Sequence, residues 1–344
     1  MLVANEERGR THMERVAIIG LGLIGGSIGL AIKRSGVKDL HVVGNARTRE
    51  TLQRAKKIGA IDEEARTAAE AVRDARLVII AAPILATRPL FEEIAPALMP
   101  GAVVTDAGST KGNVMRWAKE LLPDTAHFVG GHPMAGKETP GIDAADADLF
   151  REKTWVIVPS VTADQGAVKT VVGLAQLCGA AVSFMDAEEH DSYVAAISHL
   201  PLALSSALFS VVFGSAAWPE LAHLASSGFR DTTRLASGSP EMAHDIMISN
   251  RDNVLHWIDR FQEELSRFRA AIAAGETEPV LEAFAKPQLE RDNFMVNGAP
   301  RRNLGDPIEK ISFSDMMLGS AISGMMKKQT ELLKAAEERA EKKR

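Results

Sequence analysis

The stretch VAIIGLGLIGGSIGLAIKRSG, residues 16–36, decides the fold of this chain. It opens on a β-branched run, turns at Gly20, Gly22 and Gly25 in a G-x-G-x-x-G pattern, and continues as a helix-forming segment. In such a strand-turn-helix each glycine has its own task. Gly20 makes the tight turn, Gly22 lets the backbone approach a pyrophosphate, and Gly25 allows the helix to pack closely on the strand. The unpaired N–H groups of the helix start, where Leu23 and Ile24 stand, then face the phosphates. A dinucleotide site in the N-terminal half is the direct implication.

Outward from this motif, short runs at 16–20, 40–43, 77–82, 103–106, 127–129 and 155–158 predict strands, with helices such as 49–58 and 90–98 between most of them. That alternation is the pattern of a parallel sheet with crossover helices. Beyond Asp164 the character changes. Apart from one strand at 182–185, the chain reads as long helices broken by loops at 226–231 and 237–240. The expected organisation is an α/β domain with a mostly parallel sheet over 14–186, an all-α domain over 187–285, and an extension over 286–344. In that extension KPQLERDNFMVNGAPRRNLGDP has loop composition, and the last residues read as a charged helix or a frayed tail.

The bulk properties narrow the function classes. A chain of 344 residues with 46% hydrophobic content can bury two cores. The net charge of −5, with no basic tract before the C-terminal tail, argues against a nucleic-acid surface. Cys178, the single cysteine, lies in an apolar run and reads as a packing residue in a reducing compartment. The first thirteen residues hold no apolar stretch of the kind a targeting peptide needs, so the cytoplasm is the expected location. Residues 193–218 contain no Asp, Glu, Lys or Arg, yet they carry His199 and Pro201 and lack flanking basic anchors. A helix buried in a subunit interface is therefore expected rather than a membrane span.

After the second strand, where an NAD-binding fold usually places an acidic residue to hold the ribose hydroxyls, the chain has Asn45, Arg47, Thr48 and Arg49. These suit a ribose 2′-phosphate, and NADP is the expected cofactor ahead of NAD; the alternative is that both arginines only solvate a helix start. Ala82 and Pro83, at the end of the 77–82 strand, are also expected against the cofactor. Two further strand ends carry polar clusters, DAGSTKG at 106–112 and GGHPMAGKE at 130–138, on the side where α/β sheets bind ligands. His132, between Gly-Gly and Pro, is expected on a stiff loop. In the helical half, Glu189-His190-Asp191 precedes Ser198-His199-Leu200-Pro201, and on one helix Asp191 and His199 would lie near enough to share a face. Arg230 and Arg234 bracket an expected turn and helix start, where they either clamp a carboxylate or pair with acidic neighbours. No metal site is expected.

GLGLIGGSIG, DAGSTKG, GGHPMAGKE, HDSYVAAISHLP and GFRDTTRLA, in that order between about residues 15 and 269, resemble the prephenate dehydrogenase family, which includes arogenate and cyclohexadienyl dehydrogenases of tyrosine biosynthesis. The resemblance implies a Rossmann domain followed by a helical domain through which two subunits dimerise. It implies oxidative decarboxylation of a cyclohexadiene: hydride leaves ring carbon 4, carbon dioxide leaves ring carbon 1, and the ring becomes aromatic. By position, His132 matches the base that takes the 4-hydroxyl proton and Ser109 a partner of the same hydroxyl. Arg234 matches the arginine that binds substrate carboxylate, His199 the histidine on the interface helix, and Glu138 a polar residue near that site. The chain departs from the family at Leu202, where relatives commonly have His, and at Ala243, where they have Trp; this leaves the prephenate or arogenate side chain open. A 3-hydroxyacid dehydrogenase, the nearest rival, needs a lysine in the helical half, and none lies between Lys169 and Lys286. A non-catalytic dinucleotide sensor would have no use for Ser109, His132, His199 and Arg234 together.

Overall fold

The computed structural model describes residues 14–137 and 139–298. The eight strands are β1 (Glu14–Ile19), β2 (Leu40–Asn45), β3 (Glu63–Glu64), β4 (Ala75–Ile80), β5 (Val103–Asp106), β6 (His127–Pro133), β7 (Thr154–Pro159) and β8 (Ala181–Phe184). They form one sheet in the order β3-β2-β1-β4-β5-β6-β7-β8. Every pairing is parallel except β6 with β7. The reversal has a simple cause. Between β6 and β7 the described residues form short turns such as Ile142–Ala144 and no helix of the length that a parallel crossover uses.

Helices α1 (Leu23–Arg34), α2 (Arg49–Lys57), α3 (Ala68–Val72), α4 (Thr87–Ile94), α5 (Gly112–Leu121) and α6 (Gln165–Leu177) connect the strands. Strand side chains alternate between the two faces. Val16 and Ile18 of β1 therefore join Ile28 and Ile32 of α1 and Val171 and Leu174 of α6, while Ala17 and Ile19 join Val72, Phe91, Ile94 and Val114 of α3 to α5. Each fully buried Ile or Phe in these layers stabilises the fold by about 1.5–3 kcal/mol.

The helical half comprises α7 (Ala187–Val194), α8 (Leu200–Phe213), α9 (Trp218–Leu224), α10 (Ser227–Thr233), α11 (Pro240–Ser249), α12 (Arg251–Ala274) and α13 (Thr277–Asn297). A turn of π-helix, Ala195–His199, joins α7 to α8. Pro201 lacks the N–H that would continue the regular ladder, and the wider turn accommodates the loss without breaking the rod. Ile246, Met247 and Leu202 pack on the α3–α5 layer and dock this half on the sheet domain. The rod from Ala187 to Phe213 is long and apolar enough to cross a bilayer, and little of its apolar stretch is fully buried on a single chain. Ile197 and Val211 are 70% and 76% exposed.

Two expected loops are corrected. Residues 227–231, expected within the 226–231 loop, belong to helix α10 (Ser227–Thr233), held by bonds from the Thr232 and Thr233 hydroxyls to the carbonyls of Gly228 and Phe229 (both 2.7 Å) and by Ser205 Oγ of α8 donating to Thr232 O at 2.9 Å. Lys286 to Asn297, also expected as loop, continue α13 with Pro287 inside it. The two-residue β3 carries too little pattern to be seen. The rest of the expected C-terminal extension, from residue 299, lies outside the described residues.

Candidate active site

The glycine turn is built as its sequence requires. Gly20 has φ +93°, and a Cβ on it would lie 2.4 Å from the Ala81 carbonyl oxygen; one on Gly25 would lie 1.9 Å from Gly20 O. Only glycine fits between β1, β4 and α1. A Cβ on Gly22 would meet nothing within 4 Å, so the backbone at the start of α1 faces open space, as a pyrophosphate requires. Leu23 and Ile24 open that helix, and Ala82 and Pro83 follow β4 beside the turn. These residues fit a dinucleotide. Asn45 ends β2 and turns its amide to Ala65 O at 3.1 Å. Thr48 caps α2 by accepting from Thr51 N (3.3 Å), a structural task missing from the sequence reading. Arg47 and Arg49 are exposed beside it and have no side-chain partner among the described residues.

At the carboxyl end of β5, Asp106 is 1% exposed and Lys111 is fully buried. Lys111 Nζ bonds Asp106 Oδ2 and donates to Gly131 O at 2.7 Å, while Asp106 accepts from Gly108 N (2.8 Å) and Gly131 N (3.2 Å). Burial lowers the Lys111 ammonium from its ordinary value, against the pull of Asp106 and Asp191. The pair ties the Ser109 loop to β6. Ser109 is half-buried in that loop, and its hydroxyl has no protein partner among the described residues.

His132 is not on a loop. The β6–β7 ladder carries the strand on to Pro133, with His132 opposite Val156, and a Cβ on the preceding Gly131 would lie 2.7 Å from Asp106 O. His132 Nδ1 meets His190 Nε2 of α7 at 2.9 Å, and His190 Nδ1 meets Asp191 Oδ1 at 2.8 Å. Asp191 also accepts from Lys111 N (2.7 Å) and Gly112 N (2.8 Å), so its carboxylate sits at the start of α5, where the helix dipole favours it. His132 Nε2 has no protein partner among the described residues. Burial, then His190, Lys111 and His199, hold the His132 imidazole well below its ordinary value, which keeps it neutral.

His199 ends the π-turn, 1% exposed, with Nδ1 3.2 Å from Asn250 Nδ2, which also donates to Asp191 O at 2.7 Å. Burial brings its imidazole down to about 4. Asp191 and His199 thus share Asn250, although the carboxylate faces the sheet domain. Arg230 is in the body of α10, with Nη2 3.5 Å from Ala225 O, and Arg234 starts the short turn Arg234–Ser237 after it; both are exposed on the single chain. They do not bracket a helix start, as expected, because α10 begins three residues before Arg230. Glu138 lies outside the described residues. Among the described residues no group of three or more acidic, His or Cys side chains could hold a metal ion. Cys178 is buried, its thiol pushed up to about 12 by burial, as befits a packing residue.

His190 and Asp106 carry no role in the sequence reading. The His-Asp dipeptide at 190–191 was visible, but its proximity to His132, 58 residues away, was not.

Comparison with known proteins agrees with this arrangement. Residues 28–184 match the family described as prephenate dehydrogenase, nucleotide-binding domain, and residues 186–286 match prephenate dehydrogenase, dimerization domain. The chain is 35% identical over 294 residues to a prephenate dehydrogenase of Bacillus subtilis, covering 85% of this chain and 78% of that protein. It is 32% identical over 284 residues to a cyclohexadienyl dehydrogenase of Zymomonas mobilis, covering 82% and 96%. The crystal structure of prephenate dehydrogenase from A. aeolicus in complex with hydroxyphenyl propionate and NAD+ superimposes with a TM-score of 0.77 at 29% identity, over 82% of this chain and 98% of that one. A glycine cradle for a dinucleotide, a neutral imidazole at a strand end and an apolar helical half thus occur together in a chain that belongs to the prephenate dehydrogenase family.

Proposed function

We propose that the chain oxidises and decarboxylates prephenate or arogenate, with His132 as the base for the ring hydroxyl. The carrying observation is the His132 imidazole at the end of β6, neutral by burial and with Nε2 left unpartnered by the protein. Gly20, Gly22, Gly25, Leu23, Ile24, Ala82 and Pro83 would hold a nicotinamide cofactor, which would supply the hydride acceptor for ring carbon 4. His132 Nε2 accepts the hydroxyl proton as the carbonyl forms, and carbon dioxide then leaves carbon 1 as the ring becomes aromatic. Ser109 orients the hydroxyl. Arg234 anchors a substrate carboxylate, with Arg230, Glu138 and His199 lining the rest of the pocket. Steady-state assays with prephenate and with arogenate, each with NAD and NADP, test this reading; turnover of neither substrate overturns it.

NADP is the preferred cofactor in this reading. No carboxylate stands at Asn45 to repel a 2′-phosphate, and Arg47 and Arg49, without side-chain partners among the described residues, flank the Thr48 cap at the start of α2. A charge-assisted contact is worth about 1.5–3 kcal/mol, or roughly ten- to a hundredfold in affinity. The expected result is a higher kcat/KM with NADP than with NAD, eroded selectively in Arg47→Ala or Arg49→Ala. Equal or better use of NAD by the parent enzyme contradicts it.

The working form is a cytoplasmic homodimer joined through the helical half. The match to a dimerization domain and the exposed apolar rod from Ala187 to Phe213 support it, because a second copy would cover surface that water disfavours. Light scattering at micromolar concentration is expected to give twice the chain mass; a monomer mass counts against it.

The acid limb of the pH–rate profile follows from the same site. A base must be neutral to act, and His132, with Lys111, His190 and His199 around it and Asp106 and Asp191 beyond, stays neutral below the ordinary histidine value of 6.5. Activity is therefore expected to persist as pH falls through 6.5 and to be lost only below it. An acid limb in kcat/KM centred at or above that value is incompatible with the base as described.

A further inference from the structure

The hydrogen-bond chain behind His132 contains a proton inventory that its geometry determines. Asp191 is a carboxylate that already accepts from Lys111 N and Gly112 N, and it can only accept from His190 as well. His190 Nδ1, at 2.8 Å, therefore carries a hydrogen. A neutral His190 then presents a lone pair at Nε2, and the atom 2.9 Å away, His132 Nδ1, must be the donor. One ring nitrogen of His132 remains. Nε2 carries no hydrogen and points to no protein group among the described residues, which is the state a general base needs.

We propose that His190 and Asp191 of α7 are positioning residues for the reaction: they lock His132 in its Nδ1–H tautomer and receive the proton that His132 passes on. This rests on the reading of His132 as the base. In the step, the substrate O–H bond breaks and an N–H bond forms at His132 Nε2. The His132 Nδ1–H bond then breaks as one forms at His190 Nε2. The hydride, with its electron pair, would be accepted from carbon 4 by an oxidised nicotinamide bound at the glycine turn, so charge and electrons balance. The transfer has an electrostatic reason. A proton left on His132 would make a buried cation near Lys111 with no carboxylate in contact, whereas the same charge on His190 lies 2.8 Å from Asp191. Because α7 belongs to the helical half and β6 to the sheet domain, the tautomer of the base depends on the docking of the two.

Two substitutions at one position separate the roles. In His190→Leu, His132 loses both its acceptor and its fixed tautomer, and kcat is expected to fall by about 10²-fold with KM within about threefold of the parent. In His190→Gln the amide oxygen accepts from His132 Nδ1 and the amide nitrogen donates to Asp191, so tautomer control survives without onward transfer. That variant is expected to recover at least about tenfold over the Leu variant. Its rate should depend linearly on the deuterium fraction of the solvent, where the parent gives a curved dependence from two protons in motion. Unchanged cofactor affinity in both variants reports an intact fold. A kcat for His190→Leu within about threefold of the parent, or a Gln variant no better than the Leu one, overturns the positioning role, and a linear dependence in the parent overturns the onward transfer. His132→Asn is the control: if it is inactive while His190→Leu is fully active, only the present proposal fails, and if it turns over normally, the base reading beneath it fails.

Discussion

His132→Asn is expected to lower kcat by at least about 10²-fold while substrate KM and cofactor affinity stay close to those of the parent. The asparagine amide cannot take up a proton at neutral pH, so the loss falls on the transition state, in which the hydroxyl sheds its proton as hydride departs. Binding is spared because the cofactor cradle lies elsewhere, in the turn from β1 into α1 at Gly20, Gly22 and Gly25, and the proposed carboxylate anchor lies on another element, at Arg234. The fold is spared as well: His132 pairs with Val156 through the β6–β7 ladder, which any residue can maintain at that position. Steady-state kinetics with a parallel cofactor titration make the measurement. Turnover within tenfold of the parent would remove His132 from the role of base.

Lys111→Met is expected to cost about 3–5 kcal/mol of stability, the usual result of removing one partner of a buried ion pair. Lys111 has no exposed side-chain surface and Asp106 has almost none, so water cannot solvate the carboxylate left behind. Asp106 would keep its bonds from Gly108 N and Gly131 N, which argues for the lower end of the range, while Gly131 O would lose its donor from Nζ, which argues for the upper. The double variant Lys111→Met/Asp106→Leu removes both charges and should recover much of the loss, since a well-packed apolar pair can replace a buried salt bridge at little cost. Denaturant unfolding of the cofactor-free protein compares the three. A loss below about 1 kcal/mol in the single variant would mean that the carboxylate finds water or a proton, contrary to its burial.

These two residues mark the limits of what could be read before the fold was known. The G-x-G-x-x-G turn, the strand-helix alternation and the change of character after β8 were legible, because each depends on local periodicity and on conformational demands that only glycine meets. The apolar rod around α8 was legible in the same way, from an uncharged run too long to be an accident. Local pattern was misleading where tertiary contacts outweigh propensity. Ser227 to Thr233, rich in Gly, Ser and Thr, form a helix because α8 anchors it, and Lys286 to Asn297 stay helical with a proline inside.

The sequence by itself determined the dinucleotide fold, the positions of the candidate base and the absence of an acidic residue after β2. Tertiary structure alone decided the chemistry available to those positions. The antiparallel return of β7 made His132 a strand residue, the docking of α7 set His190 and Asp191 behind it, and burial of Lys111 on Asp106 tied the Ser109 loop to the same strand. Contacts between residues 58 or 80 positions apart arise from the docking of whole elements, and no local period records them. A histidine's tautomer and charge depend on those distant neighbours, and for that reason a candidate base could be picked out in the sequence while its protonation state could not.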